Sequence, residues 1–451
     1  MYVQRKRQNN DDNRHTNQRG PSAQAVHGAV RERYGAASRR VAWLTLFSFL
    51  VSPATAVFAG SDINNAIDTA IGNANTHDGV FTENTQFNTT FEQNTGNAVI
   101  KWDVMDQEAD NTLTFVQGAG DRVLNQASGI RASVFRGMIR CDATCIFANE
   151  AGVTFADGSY LDVGQLVTIA GAVSEASFRD GGLHATGITG DVNNYGIINA
   201  RDVMLVGARI ANGGEINIED GTLTAIIGSE VWLREHGSNV VVHAELPELR
   251  NDEGFDAAPG IDNSGTINAG SGNVRLLAGD LLSFGIRNTG RIEASDISLD
   301  AGGLIELSGP SALDASDYST GAVGGTIKVL GGYIAILDTA TLDASGHSGG
   351  GEILVGGEQA GASGTRTSQG TYVGNNTTLR ADASHTGDGG RIIVWSDKTT
   401  RSYGTITARG GTLSGNGGFV ETSGREYLDV QSSPLIHARS GNATDHGGEW
   451  L

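Results

Sequence analysis

Apolar and polar residues alternate in short runs along most of the chain, and each run stops at a glycine or an asparagine. Ile327 and Val329 in VGGTIKVLGG, and Ile353 and Val355 in GGGEILVGG, show the pattern, which points one side of each run inward. After residue 190 the runs rhyme. Asn-x-Gly-x-Ile recurs as NYGII, NGGEI, NSGTI and NTGRI, starting at Asn194, Asn212, Asn263 and Asn288. A second form follows, with Gly-Gly pairs opening at 324, 350, 389, 417 and 447, so the steps are 26, 39, 28 and 30 residues. Between the pairs run LDASD, LDASG, LRADA, ITARG and IHARS.

Short strands joined by Gly or Asn corners, with no long 3.6-residue period after the leader, predict an all-β chain. Asn and Gly tolerate the left-handed backbone expected at tight corners. Repeats of this length without helices read as a right-handed parallel β-helix, a solenoid in which each coil buries its inner face against the next. With strands about 4.8 Å apart, roughly 12 to 15 coils would make a rod about 60–70 Å long. The irregular steps fit a solenoid, which tolerates insertions that would disrupt a closed propeller ring.

One apolar run is of another kind. VAWLTLFSFLV, Val41 to Val51, follows Arg39-Arg40 and precedes Pro53 and Ala54-Thr55-Ala56. A charged region, a short apolar stretch and a small-residue site make a secretory signal peptide, and the run is too short to span a bilayer comfortably. Residues 1–59 are therefore expected to be an extended signal peptide, cleaved after Ala56 or Ala59. The leader also holds the positive charge. Residues 1–40 carry nine Lys/Arg against three Asp/Glu, so a total of −20 becomes −26 once the leader is removed. A body that acidic repels nucleic acid, whose binding needs clustered cations. The 65 glycines and 6% aromatic content suit many thin layers rather than one thick core.

Several stretches could carry chemistry. Gly346-His347-Ser348-Gly349-Gly350 matches the G-x-S-x-G nucleophile elbow, but that elbow needs a helix after the serine. Ser348 is followed by the repeat strand GGGEILVGG, so it is expected to be a corner residue. Cys141 and Cys145 in CDATC lack the further ligands of a zinc site. A small disulfide loop is the expectation for an exported segment, with free thiols the alternative. Asp106, Glu108 and Asp110 suggest calcium or a solvated turn, and the turn is the favoured reading. No H-E-x-x-H, Walker loop or nucleotide fingerprint is present. No metal or other cofactor is expected.

Residues 97 to 171 carry a pattern that resembles the amino-terminal secretion domain of filamentous haemagglutinin-like exoproteins of two-partner secretion. The positions that carry it are Ile100, Trp102, Phe115, Gln117, Val123, Leu124, Asn125 and Gly129, then Asn149, Gly152, Val153, Phe155, Asp162, Val163, Gly164, Leu166 and Val167. That family also often has a C-x-x-x-C pair just before the second group, as at Cys141 and Cys145. Two departures stand out. Asn149-Glu150-Ala151-Gly152 replaces N-P-N-G, and Ala156 stands where glycine is usual. The resemblance reaches from about residue 60 to the end.

The resemblance implies a secretion domain, placed at 60–310, recognised in the periplasm by an outer-membrane barrel transporter. Residues 311–451 would continue the β-helix, and the stop at GGEWL, mid-repeat, leads to the expectation of a longer carboxyl-terminal part. Asn149, Gly152, Val153, Phe155 and Asn125 are the residues to which transporter recognition is assigned. The chain would be a secreted or surface-exposed adhesin of a Gram-negative bacterium, with surface receptors on host or bacterial cells as further partners, and not an enzyme. A polysaccharide-degrading β-helix is the first competitor, but it needs carboxylates converging on one face, and the acidic residues fall mostly at corners. The amino-terminal part of a contact-dependent toxin is the second.

Overall fold

The computed structural model describes residues 80–84, 88–128, 130–236, 239–245, 258–279, 284–362, 364–430 and 435–451. The expected signal peptide, with Ala56 and Ala59, lies outside the described residues. Within them, 33 strands join in one sheet. Its pairings are parallel from coil to coil, except at the start, where Val80–Asn84 runs antiparallel to Asn88–Gln93.

Following the pairings gives three faces. The first runs from Asn88–Gln93 through Thr112–Val116 and residues 138–141 to Ile436–His437. The second runs from Asn97–Trp102 through Arg122–Ala127 and residues 144–149 to Glu449–Trp450. The third runs from Ser133–Phe135 through Val153–Phe155 and Asp191–Asn194 to Tyr427–Val430. Long strands such as Met138–Asn149 and Tyr160–Ile169 bend round a corner and serve two faces. The fold is the parallel β-helix that the repeats predict.

Stacking keeps the alternation in register. Ile297, Ile327, Ile353, Ile392 and Val420 lie one above another on the second face, and none is more than 1% exposed. Leu313, Leu342, Leu379 and Ile406 do the same on the first. Burying each such side chain is worth about 1.5–3 kcal/mol, and a slip of one residue would turn a whole column outward. The first coils are filled by rings instead. Phe91 stacks on Phe115 with centroids 5.0 Å apart, Phe135 stacks on Phe155 at 5.6 Å, and Phe147 meets Phe135 edge-on at 5.0 Å.

The Gly-Gly pairs serve a purpose other than the left-handed corner expected of them. None of the pairs opening at 324, 350, 389, 417 and 447 adopts a positive φ. What they permit is close approach. A Cβ on Gly351 would stand 2.0 Å from the Gly325 carbonyl oxygen, and one on Gly390 would stand 2.1 Å from that of Gly351. Backbone lies on backbone there, and any side chain would force the coils apart. The asparagines of the first repeat form also lack a positive φ. Their amides stack inside the corner between the third and first faces. Asn194 Nδ2 donates to Asn212 Oδ1 (2.8 Å), Asn212 to Asn263 (2.8 Å), Asn263 to Asn288 (2.6 Å), and Asn288 to Ser311 Oγ (2.6 Å). All four asparagines are buried.

One unit stands outside the repeats. Ala172–Val173, Leu183–Thr186, Glu230–His236 and Asn239–Glu245 form an antiparallel sheet, joined by the short helix Glu175–Arg179, which Ser174 caps. The unit lies on the outside of the second face. There Val99, Leu124, Ile146, Ile169, Val206 and Ile226 meet Val173, Phe178, Leu183, Ala185 and Val231 in a separate core. The early strands of the second face are thus buried on both sides. Runs such as CIFAN and LVTI therefore show no clean alternation.

Candidate functional site

The residues assigned to recognition converge on one corner, with a single outlier. Met138–Asn149 ends the second face of its coil and Val153–Phe155 opens the third. In the turn between them, Gly152 N–H donates to the Asn149 carbonyl (3.0 Å) and Ala151 N–H donates to Asn149 Oδ1 (2.9 Å). Asn149 Nδ2 donates to the Arg131 carbonyl and to Ser133 Oγ, at 2.9 Å each, tying the turn to the coil before. Gly152 has φ 111°, and a Cβ there would stand 2.8 Å from the Asp191 carbonyl oxygen, so glycine alone fits. The turn closes without the proline of N-P-N-G, because the side-chain bond at Asn149 and the backbone of Gly152 already hold it.

Asn125 sits one coil earlier on the second face, opposite Phe147 in the pairing. Its Oδ1 accepts from Trp102 Nε1 (3.2 Å), which joins two positions of the family pattern. Gly129 lies outside the described residues. Asn125, Asn149, Val153 and Phe155 are at most 2% exposed. In the closed coil none of them offers a side-chain surface to a partner. Ser133 and Arg131, which hold Asn149, carry no motif that could have marked them beforehand.

Cys141 and Cys145 are joined by a disulfide, with Cα atoms 6.3 Å apart. The bond spans the bend from first to second face, where the pairing register shifts between Cys141 and Thr144. Gln117 braces the same corner. Its Oε1 accepts from Ala143 N–H (3.1 Å) and its Nε2 donates to Gln93 Oε1 (2.8 Å). The corner continues through Thr144 Oγ1 to Gln165 Oε1 (2.9 Å) and Gln165 Nε2 to Asp202 Oδ2 (3.0 Å).

The other candidates resolve into structure. Ser348 lies in a bend ahead of the strand Glu352–Val355, with its N–H on the Ala322 carbonyl (2.7 Å). His347 Nδ1 is 3.1 Å from Ser348 Oγ but also accepts from Gly321 N–H at 3.3 Å. Asp106 accepts from Val134 N–H (2.8 Å) and pairs with Arg131 (2.7 Å). Among the described residues no group of three or more His, Cys, Asp or Glu side chains is placed to hold a metal ion.

The architecture defines a class: a three-faced parallel β-helix with an added sheet on its early coils. Its core fold is shared with the HMW1 secretion domain from Haemophilus influenzae, at a TM-score of 0.68 and 21% identity, over 83% of this chain and 98% of that one. The filamentous hemagglutinin secretion domain matches over 82% of this chain and 97% of its own, with 12% identity and a TM-score of 0.36. No family model matches the chain, and no curated protein does.

Proposed function

We propose that this chain is the exported member of a two-partner secretion pair. It is an adhesin-like exoprotein, non-enzymatic in this portion, that passes through the periplasm of a Gram-negative bacterium to the outside of the cell or its surface. A barrel transporter in the outer membrane is its partner in export, and surface receptors are its partners afterwards. The observation that carries this reading is the β-helix shared with nearly the whole HMW1 secretion domain, which falls on a chain that also bears the residue pattern from Ile100 to Val167. Residues 60–310 are the export domain in this proposal, and 311–451 continue the same rod. Asp296–Leu307 pairs with Thr326–Ile336 across that boundary, with one register shift between Ala301 and Leu304.

In this proposal the assigned residues act before they are buried. Asn149, Val153, Phe155 and Asn125 face inward once the coils close, so the transporter meets them in the extended chain, before the corner forms. Stacked coils then close one after another outside, and the local disulfide leaves no long-range crosslink to obstruct threading. The test is secretion with the cognate transporter co-produced. Asn149→Ala should accumulate in the periplasm while Ser348→Ala is exported as the parent is. Equal export of both would remove the role of Asn149. A parent chain whose export is indifferent to the transporter would overturn the whole reading.

A further inference from the structure

The His-Ser pair inside the G-x-S-x-G match has a counterpart one coil on. His347-Ser348-Gly349 and His385-Thr386-Gly387 occupy the same place at the corner between the first and second faces. His347 N–H donates to the Asp317 carbonyl and His385 N–H to the His347 carbonyl, at 3.0 Å each, so the two histidines stand one above the other. Their ring centroids are 4.9 Å apart and the ring planes are inclined at 41°. Both coils are interior to the rod. On the second face Thr326–Ile336 stacks before them and Phe419–Gly424 after them.

The hydrogen bonds decide which ring atoms are available. His347 Nδ1 is 3.1 Å from Ser348 Oγ, which also accepts from Thr386 Oγ1 (3.3 Å). His347 Nε2 and both ring nitrogens of His385 have no hydrogen-bond partner among the described residues. His385 is exposed and His347 half-buried, so solvent and small ions reach the pair.

We propose that His347 and His385 chelate a divalent transition-metal ion of the nitrogen-preferring kind, Cu²⁺ ahead of Ni²⁺ and Zn²⁺. A ring nitrogen lies about 2.0–2.1 Å from such an ion, which puts each ring centre roughly 3.2 Å from it. Centres 4.9 Å apart then subtend roughly 100° at the metal, between the square-planar and tetrahedral angles. Ligation through His347 Nε2 leaves the proton on Nδ1. Ser348 Oγ accepts it there, supplying the second hydrogen bond that orients a ligating imidazole. The longer contact of Nδ1 with Gly321 N–H, at 3.3 Å, is given up. No third His, Cys, Asp or Glu joins the pair among the described residues, so water fills the remaining positions and the ion exchanges with solution. Hard ions such as Ca²⁺ and Mg²⁺ call for oxygen ligands and find none of their kind in two imidazoles. Ser348 is thus a positioning residue at a metal site, where its motif suggests a nucleophile.

The site does not rest on the export reading and is tested apart from it, on the purified, untagged chain. Titration with CuCl₂ should reveal a site whose electron paramagnetic resonance spectrum is split by two imidazole nitrogens. His347→Ala and His385→Ala should each remove that signal. His385→Gln keeps a polar side chain at the corner and should remove it equally, so a loss with unchanged circular dichroism is a loss of ligand and not of fold. Ser348→Ala keeps both ligands and should weaken binding about tenfold, with Ser348→Thr restoring it. His446→Ala, at another corner position, should leave the site unchanged. The proposal is overturned if the His347→Ala, His385→Ala double variant binds Cu²⁺ as the parent does, or if the parent spectrum shows fewer than two nitrogens. It is also overturned if excess CaCl₂ displaces the ion.

Discussion

Replacing Asn263 by alanine removes the middle rung of the buried amide ladder. Two hydrogen bonds go, the one accepted from Asn212 (2.8 Å) and the one given to Asn288 (2.6 Å). Asn212 Nδ2 keeps only a stretched contact to the Thr266 carbonyl at 3.4 Å. Asn288 Oδ1 is left without its donor. Each buried group left unpaired costs about 1–3 kcal/mol, so the pair costs about 2–6 kcal/mol. Asn217 provides the contrast. It lies on the outside of the first face, where its amide reaches Asn199 Oδ1 (3.0 Å) and Glu215 Oε1 (2.8 Å). Water can take over there, so Asn217→Ala should stay within about 0.5 kcal/mol of the parent. Urea unfolding followed by circular dichroism gives the overall loss. Hydrogen exchange across residues 261–263 shows whether these coils open locally, as stacked repeats can. If the two variants lose the same stability, the ladder is not what holds this corner.

Further expectations follow from the same geometry. Gly390→Ala places a methyl 2.1 Å from the Gly351 carbonyl oxygen and should yield misfolded or insoluble protein, whereas Gly447→Ala meets nothing within 4 Å and should melt as the parent does. Replacing both Cys141 and Cys145 with serine should cost about 2 kcal/mol from the entropy of so short a loop, and mass spectrometry of exported parent protein should find the two joined. Leu124→Ala cuts into the core beneath the added sheet. It should cost about 2–5 kcal/mol, and proteolysis should then cleave between Glu230 and Glu245 before it touches the rod.

The rod was legible because its signal is long and redundant. The Gly-Gly steps of 26, 39, 28 and 30 residues recur in the strands of the second face, which start at Thr326, Glu352, Arg391, Phe419 and Glu449. The bend at Ser348 was legible for the same reason. The purpose of the glycines was not, since a backbone contact between coils leaves no trace in the local sequence. Nor was the added sheet. LHAT and EVWLREH look like any other repeat strand, and only the doubly apolar runs beneath them hint at a cover. The corner at Asn149 was found through resemblance alone. Its burial depends on Arg131 and Ser133, neighbours in space that no spacing rule connects to it.

The added sheet also sets an order of events. Val99, Leu124 and Ile146 lie in the first coils, yet Val231, part of the cluster that covers them, follows Val99 by 132 residues. Contacts so distant along the chain form late, because the intervening length must first be gathered. A chain emerging amino end first therefore winds its opening coils while their outer side is still greasy and wet. That side is covered first by the segment from Val173 to Ala185, with Phe178 under Arg122 and Glu175 on Lys101, and the strand Glu230–His236 then pairs with Leu183–Thr186 to complete the sheet. The early rod therefore stays half finished while that stretch is still to come, and its cover is put on in two stages.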